Sequence, residues 1–525
     1  MKYKIKKQLE QLVASGAHVH LKGANHGIEK EGLRVNLAGD LSQKPHPEGL
    51  GSALTNSSIT TDFSESLLEL ITPVYEDPRV AIHYLEKLHG FTYSHLGEEL
   101  IWAGSMPCRI PDPDLIPIAR YGSSNIGKMK HIYRLGLEHR YGKMMQSIAG
   151  IHYNFSLPDE LWQTIQVGLG STEDLQVVRS ASYFKMIRNF RRHSWLLLYL
   201  FGASPALCDS FLTGKPHKLQ RLHDQTLFLP YATSLRMSDL GYSTKVQSSL
   251  NICFNHLNTY INSLKMAIQT TYPPYQKIGV KVDGIYHQLN DTILQIENEH
   301  YSDVRPKRVG YEGERPLNAL NNRGVEYIEI RNTDVNPFIP AGIDTQQALF
   351  LDTFLISCLL MDEQDICADE CKMVDENMQK VITRGREPGL LLNTPTGELT
   401  LIAAGNSLID QMLMTGELLD EVHNTDDYTT SVNAQKEKLE DASQTPSARV
   451  LNGLRESGLD YSGWILQKSR EHKETFRLLS PPAQEYQDLT QRAVQSIQDQ
   501  QQLEASDTQS FDDFLKEYLA VKDLH

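Results

Sequence analysis

The sequence lacks the short motifs by which nucleotide-binding and hydrolytic sites are most often found. It contains neither G-x-x-x-x-G-K-[ST] nor G-x-G-x-x-G, which disfavours a P-loop or Rossmann nucleotide site. It has no H-E-x-x-H motif, no G-x-S-x-G elbow and no signature of a Cys/His nucleophile. Its 6 cysteines are scattered without a C-x-x-C pair, which argues against a zinc ribbon and fits a reducing cytoplasm.

Net positive charge and long apolar runs are missing as well. With 51 Lys+Arg against 66 Asp+Glu the net charge is −15, which disfavours a nucleic acid or an anionic membrane as partner. The longest apolar run, residues 195–208, is interrupted by Gly202 and Pro205 and is too short for a bilayer of about 30 Å. The N-terminal segment has helical spacing where a secretion signal would have a continuous apolar core. We therefore expect a soluble, cytoplasmic, enzyme-sized chain of 525 residues.

The sequence changes character near residue 345. Before it, alternating segments between Gly, Pro and Asn turns predict strands at residues 27–36, 66–72, 149–157, 278–290 and 324–332. Helical spacing lies between them, at residues 78–98, 124–141, 176–200 and 246–269. After Pro340 the pattern is almost wholly helical and includes a helix capped by Ser510, but polar residues 423–449 predict a mobile connection or a long loop. The prediction is an α+β protein with a catalytic sheet region at 1–345 and a helical region at 346–525 packed on it.

Four strand-like segments carry polar or charged residues on one face. In GIHYNFS, a period of two places His152 and Asn154 on one face and Tyr153 and Phe155 on the other. The same alternation puts Glu29 and Glu31 on one face of their segment, and Glu329 and Arg331 on one face of theirs. In TDFSESLLELIT, Glu69 stands between Leu68 and Leu70, with Asp62 and Glu65 just upstream. Carboxylates embedded in such apolar strands need compensation.

A divalent cation is one explanation of these carboxylates. Burying an isolated carboxylate costs several kcal/mol, whereas one Mg²⁺ ion can compensate several carboxylates at once. Mg²⁺ prefers oxygen ligands and accepts an imidazole less often. The predicted ligands are Glu29, Glu31, Asp62, Glu69, His152 and Glu329. The alternative for each residue alone is a solvent-exposed side chain, with Arg331 as a salt-bridge partner of Glu329. The basic run RPKR at 305–308 also has two possible roles, since it could contact phosphate or could simply be solvated.

These segments closely resemble the proteobacterial type of glutamate–cysteine ligase. The resemblance covers residues 20–345 and is carried by the stretches GIEKEGLRVN, ALTNSSITTDFSESLLELITP, SMPCRIP, YGSSNIGKMKHIYRLGLEHRYGKMMQSIAGIHYNFSLP, YLFGASPA, LPYATSLRMSDLGY, LQIENEHYSDVRPKR and GVEYIEIRNTDVNPF. Beyond residue 345 it thins to a general helical character, with SARVLNGL as one recognisable patch.

The resemblance implies a fold similar to that of glutamine synthetase, in which a curved, mainly antiparallel sheet forms a funnel and helices cover its other side. The implied reaction is ATP-dependent joining of the γ-carboxylate of L-glutamate to the amine of L-cysteine through γ-glutamyl phosphate, the first step of glutathione biosynthesis. The implied cofactors are ATP and Mg²⁺, with Mn²⁺ as an alternative ion, and glutathione is an expected feedback inhibitor. The length after residue 345 leads us to expect the first step alone and not a fused two-step enzyme.

The resemblance also assigns roles to single residues. The family's metal ligands fall on the six positions named above. Arg236 and Arg331 match positions that contact ATP phosphates or the transferred phosphoryl group, and Asn154 matches a position beside the nucleotide. The implied substrate-binding residues are Tyr133, Arg134, Gln146, Arg236, Tyr242 and Tyr301. Asp62 is a candidate for the group that takes the amine proton, a role that the sequence leaves open. Gly32 stands where the family tends to carry a side chain, so we expect a local loosening of that strand.

Three alternative functions remain open at this level. A related carboxylate–amine ligase would use a different amine. A metal-dependent hydrolase could use the same Glu/His set but would turn over without ATP. A non-catalytic binding protein would keep its ligand affinity after Glu29→Gln.

Overall fold

The structure is a computed structural model that describes residues 2–240, 246, 250–311, 313–361, 364–479 and 483–520. Its strands, in chain order, are β1 (Asn25–Val35), β2 (Ile59–Thr61), β3 (Leu67–Ile71), β4 (Leu100–Ile101), β5 (Ile151–Ser156), β6 (Ala206–Cys208), β7 (Gln220–His223), β8 (Thr226–Phe228), β9 (Lys281–Val282), β10 (Ile285–Tyr286), β11 (Val304–Lys307), β12 (Tyr327–Thr333), β13 (Leu391–Thr394) and β14 (Gly397–Thr400).

The α-helices precede, separate and follow these strands. In chain order they are α1 (Lys2–Ala14), α2 (Pro78–Leu96), α3 (Asn125–Tyr141), α4 (Asp159–Gly168), α5 (Leu175–His193), α6 (Trp195–Phe201), α7 (Leu257–Gln269), α8 (Pro273–Ile278), α9 (Pro316–Arg323), α10 (Thr345–Leu360), α11 (Ala368–Arg384), α12 (Leu401–His423), α13 (Asp427–Glu440), α14 (Pro446–Ser457), α15 (Tyr461–Leu478), α16 (Ala483–Ser506) and α17 (Phe511–Leu519). In the ranges that the structure describes, no helix combines the length and the apolarity needed to cross a membrane.

The main sheet is open and antiparallel, as predicted. Its strand order is β11-β12-β5-β1-β3-β2, with the short strand β4 also paired to β1. Each of these pairs is antiparallel. The long strand β1 lies between β5 and β3, so residues from strands far apart in sequence meet across it. Smaller sheets are formed by β6-β8-β7, β9-β10 and β13-β14.

One face of the main sheet is apolar and packs against helices. Ile28, Tyr153, Phe155 and Ile328 are fully buried there, in line with the predicted alternation in β5. Tyr153 also donates a hydrogen bond to Asp352 Oδ1 on α10, at 2.7 Å. The helical cover leaves only the other face of the sheet for binding.

The sequence predictions at three places are wrong. Residues 278–290 form a short hairpin after the end of α8 instead of a long strand, because Asp283 and Gly284 adopt positive φ angles and turn the chain. The helix predicted at 246–269 begins at Leu257, and residues 250–256 are not helical. His256 and Thr259 form a capping box that fixes this start.

The third correction concerns residues 423–449, where a long loop was expected. This segment contains the end of α12, the whole of α13 and the start of α14. Buried Tyr428, Val432 and Leu439 form a narrow apolar stripe on α13. Four- and seven-residue spacing is sufficient for a packed helix even when most of its other positions are polar.

The predicted loosening at Gly32 is not seen. β1 is continuous from Asn25 to Val35, and Gly32 pairs with Leu68 of β3. A Cβ atom at Gly32 would lie 2.6 Å from Ile101 Cγ2 on β4, so a side chain there would displace Ile101. Glycine therefore permits a close approach of β4 to β1.

Candidate active site

The polar face of the main sheet opens onto a cavity of about 480 Å³. Strands β1, β3, β5, β11 and β12 form its floor, and helix α3 forms one wall. Because side chains alternate along a strand, Glu29 and Glu31 of β1 line this cavity while Lys30 between them is buried in the opposite direction, with its Nζ 3.0 Å from His89 Nε2.

Strand register collects the acidic residues in this cavity. Glu29 lies opposite His152 across the β1–β5 pair, and Glu31 lies opposite Glu69 across the β1–β3 pair. Glu329 of β12 lies one strand further, opposite Asn154 of β5. Directly opposed residues in adjacent strands have Cβ atoms about 5 Å apart, so register alone clusters these groups.

His152 lies at the centre of the cluster. Its Nδ1 is 3.0 Å from Glu29 Oε2 and 3.9 Å from Glu329 Oε1, and its Nε2 is 3.9 Å from Glu31 Oε1. In each of two groups of residues, the possible ligand atoms all lie within 4.8 Å of one another. The first group is Glu29, His152 and Glu329, and the second is Glu31, Glu69 and His152. Several carboxylate oxygens with one imidazole form a donor set suited to a hard divalent cation.

The acidic cluster carries more negative charge than its protein neighbours compensate. Burial, followed by the carboxylates of Glu29, Asp62 and Glu31, raises the pKa of Glu69 well above its ordinary value. Burial also raises the pKa of Glu31, against the favourable charge of His152. A cation between these carboxylates would offset both the burial and the repulsion between like charges, so the residues present fit such a group.

The other side of the cluster is basic. Glu329 Oε2 is 3.2 Å from Arg331 Nη1, and Glu329 Oε1 is 3.4 Å from Lys307 Nζ. Burial alone would raise the pKa of Glu329, but Lys307, Arg331, His152 and Arg305 hold it well below its ordinary value. The cavity therefore places basic side chains beside a candidate cation site, an arrangement suited to phosphate oxygens.

Arg236 reaches the cavity from outside the sheet and is held by buried partners. Its Nη2 donates to the Arg331 carbonyl at 2.9 Å, and its Nη1 is 3.8 Å from Asp334 Oδ1. Asp334 also accepts hydrogen bonds from Ala203 N at 2.8 Å, Ser204 Oγ at 2.7 Å and Ser234 Oγ at 2.9 Å. This network fixes the orientation of the guanidinium.

Gly150 provides the space for Arg236. A Cβ atom at this position would lie 2.0 Å from Arg236 Nη2. Its backbone N–H donates to Glu31 Oε2 at 2.7 Å, so the same residue also orients one of the carboxylates. A larger side chain at Gly150 would displace the guanidinium.

The predicted site residues are almost all brought together. Those that line the one cavity are Glu29, Glu31, Asp62, Glu69, Tyr133, Arg134, Gln146, His152, Arg236, Tyr301, Glu329 and Arg331. Asn154 is not among the lining residues, but its Nδ2 donates to Glu29 Oε1 at 2.9 Å. Tyr242 lies outside the described residues.

Asp62 has a different environment from the other predicted metal ligands. It belongs to neither of the two groups of closely spaced ligand atoms, and its side chain is 46% exposed. Its Oδ1 is 3.7 Å from Arg134 Nη2. The carboxylate is thus directed to an arginine and to solvent in the cavity.

Other cavity residues were left open or missed in the sequence. The RPKR run was left open between phosphate contact and solvation, and its Arg305 and Lys307 alternate on β11 and line the cavity. Of the apolar wall of α3 only Tyr133 was predicted, and Ile126, Met129 and Leu137, which share its face by helical spacing, were missed.

Tyr518 of the last described helix, α17, was also missed. The predicted cap is present, since Ser510 Oγ accepts the N–H of Asp513 at 3.1 Å, and Leu515 is buried. The helix packs on Met129 and Ile132 of α3, however, and its Tyr518 lines the cavity. The amphipathic pattern showed that α17 is docked but not which surface it covers.

Together, the open antiparallel sheet and its acidic and basic cavity define an enzyme that handles anionic small molecules. The family model for glutamate–cysteine ligase matches residues 9–381, and the chain belongs to this family of ligases. It is 51% identical over 500 residues to the glutamate–cysteine ligase of Pseudomonas putida, covering 95% of each chain.

Solved structures agree with this family. The glutamate–cysteine ligase of Francisella tularensis, solved in complex with AMP, is 40% identical and superposes with a TM-score of 0.89 over 95% of this chain and 97% of the other. A bifunctional glutathione synthetase from Pasteurella multocida is 25% identical, with a TM-score of 0.70 over 90% of this chain and 55% of the other.

Proposed function

We propose that this protein joins the γ-carboxylate of L-glutamate to the amine of L-cysteine, with conversion of ATP to ADP and phosphate, in the first step of glutathione biosynthesis. Membership of the glutamate–cysteine ligase family supports the reaction, and the AMP of the Francisella complex supports the use of ATP. The observation that carries the proposal is one cavity that joins a carboxylate cluster to Lys307, Arg331 and Arg236. An acyl-phosphate reaction needs these two kinds of group side by side.

The cofactor that we propose with ATP is Mg²⁺, with Mn²⁺ as an alternative. The two groups around His152 would hold it, through Glu29 and Glu329 on one side and Glu31 and Glu69 on the other. When bound, the cation would neutralise charge on the phosphate oxygens. The raised pKa values of Glu31 and Glu69 support this role.

The basic residues would act on the phosphoryl group. A γ-carboxylate oxygen of glutamate attacks the γ-phosphorus, the bond to the bridging oxygen breaks, and ADP leaves. Arg331 and Arg236 would stabilise the phosphoryl oxygens, and their fixed partners supply the preorganisation on which such stabilisation depends. Asn154, which holds Glu29, would act beside the nucleotide.

In the second half-reaction the cysteine nitrogen attacks the acyl carbon, phosphate leaves, and a proton is lost from the amine. Asp62 is our candidate acceptor of that proton. It lines the cavity but belongs to neither of the two close groups of ligand atoms, so its carboxylate need not be shared with a cation. A group that acts as a base must reach the proton that it takes. The side chain of Asp62 is partly exposed in the cavity and so has the freedom to do this.

The remaining cavity wall would bind the two amino acids. We assign substrate contacts to Tyr133, Arg134, Gln146, Arg236, Tyr301 and, outside the described residues, Tyr242. Arg134 suits a substrate carboxylate, while Tyr133 and Tyr301 offer ring surface with a polar end. Glutathione, which contains the product, would compete for this wall as a feedback inhibitor.

We extend the proposal to the architecture. The sheet would curve into a funnel similar to that of glutamine synthetase, in a cytoplasmic protein without a nucleic-acid partner. Residues 1–345 would form the catalytic region and residues 346–525 a helical region packed on it. The lining of the cavity supports this division, since Tyr518 is its one described residue beyond 345.

The test is ADP release with glutamate, cysteine, ATP and Mg²⁺, each omitted in turn. We expect turnover only with all four, because phosphoryl transfer and amine attack are linked. ADP release without cysteine, or with other amines equally well, would contradict the assignment, and ATP-independent turnover would indicate a hydrolase.

A pair of variants connects the activity to the cavity. Glu329→Gln should lower kcat/KM about 100-fold or more, the size of effect seen when one preorganised electrostatic group is lost. Glu326→Gln is the matched control, because Glu326 precedes the same strand with its side chain 41% exposed. Equal activity of the two variants would exclude Glu329 from the site.

A further inference from the structure

A second cavity, of about 240 Å³, lies where α13 and α14 meet the segment between β12 and α10. We name it the α13–α14 cavity. It shares no lining residue with the active site in the ranges that the structure describes. Nothing in the proposed reaction uses it.

Two basic side chains mark this cavity as a site for an anionic group. The Lys438 ammonium is 3.0 Å from the Leu200 carbonyl and 4.7 Å above the Phe201 ring, so it is held in place. Burial lowers the pKa of Lys438 to about 8, which leaves it mostly charged at pH 7. Arg449 of α14 stacks on Phe338, with its guanidinium carbon 4.1 Å from the ring centre.

An acceptor without a partner also lines the cavity. Gln435 is 3% exposed, and its Oε1 accepts no hydrogen bond from any described residue, although its Nε2 donates to the Ser431 carbonyl at 3.3 Å. A buried acceptor without a donor costs about 1–3 kcal/mol. Asp344 lines the same cavity and adds a negative charge that Lys438 senses.

We propose that the α13–α14 cavity is a second binding site, for a small zwitterion such as a free amino acid or a short peptide. The ligand carboxylate pairs with Lys438 and Arg449. Its N–H groups donate to Gln435 Oε1 and to the Asp344 carboxylate. The volume restricts the ligand to roughly the size of an amino acid or a dipeptide, because drug-sized ligands occupy about 300–1,000 Å³.

The wall of this cavity is joined along the chain to the residue that anchors Arg236. Asn336 and Phe338 line the cavity two and four residues after Asp334, which holds Arg236. A ligand that changes the position of this segment therefore changes the anchor of Arg236. We expect occupancy to change kcat/KM about fivefold or more, the lower end of typical couplings between sites.

The experiment is calorimetric titration of the full-length protein with glycylglycine, which carries a carboxylate, an ammonium and an amide N–H. Acetate and methylammonium are the comparison probes. We expect glycylglycine to bind at least about tenfold more tightly than either, a difference of about 1.4 kcal/mol. No measurable binding, or acetate binding as tightly as glycylglycine, would overturn the proposal.

Variants locate the binding. Arg449→Gln and Gln435→Met should each weaken glycylglycine binding about tenfold or more, and the second removes an unpaired buried oxygen and so should fold. Lys436→Gln is the matched control, since Lys436 lies on the same helix and pairs with Asp410 at 3.6 Å. Equal affinity in all variants would place the binding elsewhere and refute the site. Unchanged kcat/KM at saturating glycylglycine would refute the connection to Arg236.

Discussion

Replacement of Glu69 by glutamine should stabilise the protein without a cation and weaken its stabilisation by the cation. Glu69→Gln keeps the size of the side chain and removes one charge from a cluster in which burial and neighbouring carboxylates raise its pKa. The pKa of Glu69 is higher in the folded state than in the unfolded state. Its protonated form therefore contributes to the free energy of unfolding fully below the unfolded-state pKa, and this contribution is lost as pH rises through the folded-state pKa. The wild-type protein without a cation should therefore lose stability with rising pH, and the variant should lose less.

The magnitude follows from the geometry. Ligand oxygens of Glu31 and Glu69 lie within 4.8 Å, at which two like charges repel by about 3.5 kcal/mol for an effective dielectric constant of about 20. Arg331 offsets part of this repulsion. We expect Glu69→Gln to exceed the wild type by about 2 kcal/mol in free energy of unfolding at pH 9, and by less at pH 6.

The assay is urea unfolding followed by circular dichroism, at both pH values, with EDTA or with saturating Mg²⁺. Wild type should gain about 2.7 kcal/mol at a cation concentration of about 100 times Kd, and the variant should gain much less. Glu76→Gln is the control, because Glu76 is exposed just after the same strand. A variant less stable than wild type in EDTA at pH 9, or equally stabilised by Mg²⁺, would refute the reasoning.

Three further changes test other parts of the structure. Asp334→Asn removes the charge that anchors Arg236, so kcat/KM should fall about 10- to 100-fold, equivalent to about 1.4–2.7 kcal/mol, with an unchanged circular dichroism spectrum. Wild-type kinetics would show that Arg236 needs no anchor. Tyr518→Ala should raise KM for cysteine about fivefold, because about 1 kcal/mol of packing against the ring is lost. Tyr518→Phe keeps the ring and should leave KM unchanged, so equal effects of the two variants would exclude a role for the ring. His26→Gln breaks the buried pair with Asp352 at 3.1 Å and should cost about 3 kcal/mol in unfolding experiments. Burial lowers the pKa of His26 but Asp352 outweighs it, so this loss should be largest below pH 6 and shrink as pH rises through the raised pKa; a pH-independent loss would contradict the pairing.

Much of the active site could be predicted because it is built on regular strands. A period of two is a local property, so the sequence alone separates Glu29 and Glu31 from Ile28 and Lys30. The pairing of strands is not local. Glu29 faces His152 through a contact between strands more than a hundred residues apart in sequence. Glu31 faces Glu69 across nearly forty residues. The strand pattern and the family resemblance each suggested that these residues share one site, but neither gave the facing pairs.

What could not be predicted involves surfaces whose partners are distant in sequence. Tyr518 reaches the cavity only because α17 docks on α3, nearly 400 residues earlier in the chain. The helix α13 was mistaken for a loop because its buried stripe is narrow and its other positions are polar. Asp62 looked equivalent to the strand carboxylates in sequence, but it lies outside both close groups of ligand atoms.

The alternation along β1 has a consequence for how errors in folding would affect this protein. Lys30 stands between Glu29 and Glu31, so a slip of one residue in strand pairing would turn an ammonium towards the acidic cluster and bury two carboxylates among apolar side chains. Such a misregistered molecule would be inert instead of partly active. The register of β1 therefore decides both the packing of this strand and the position of its carboxylates in the cavity.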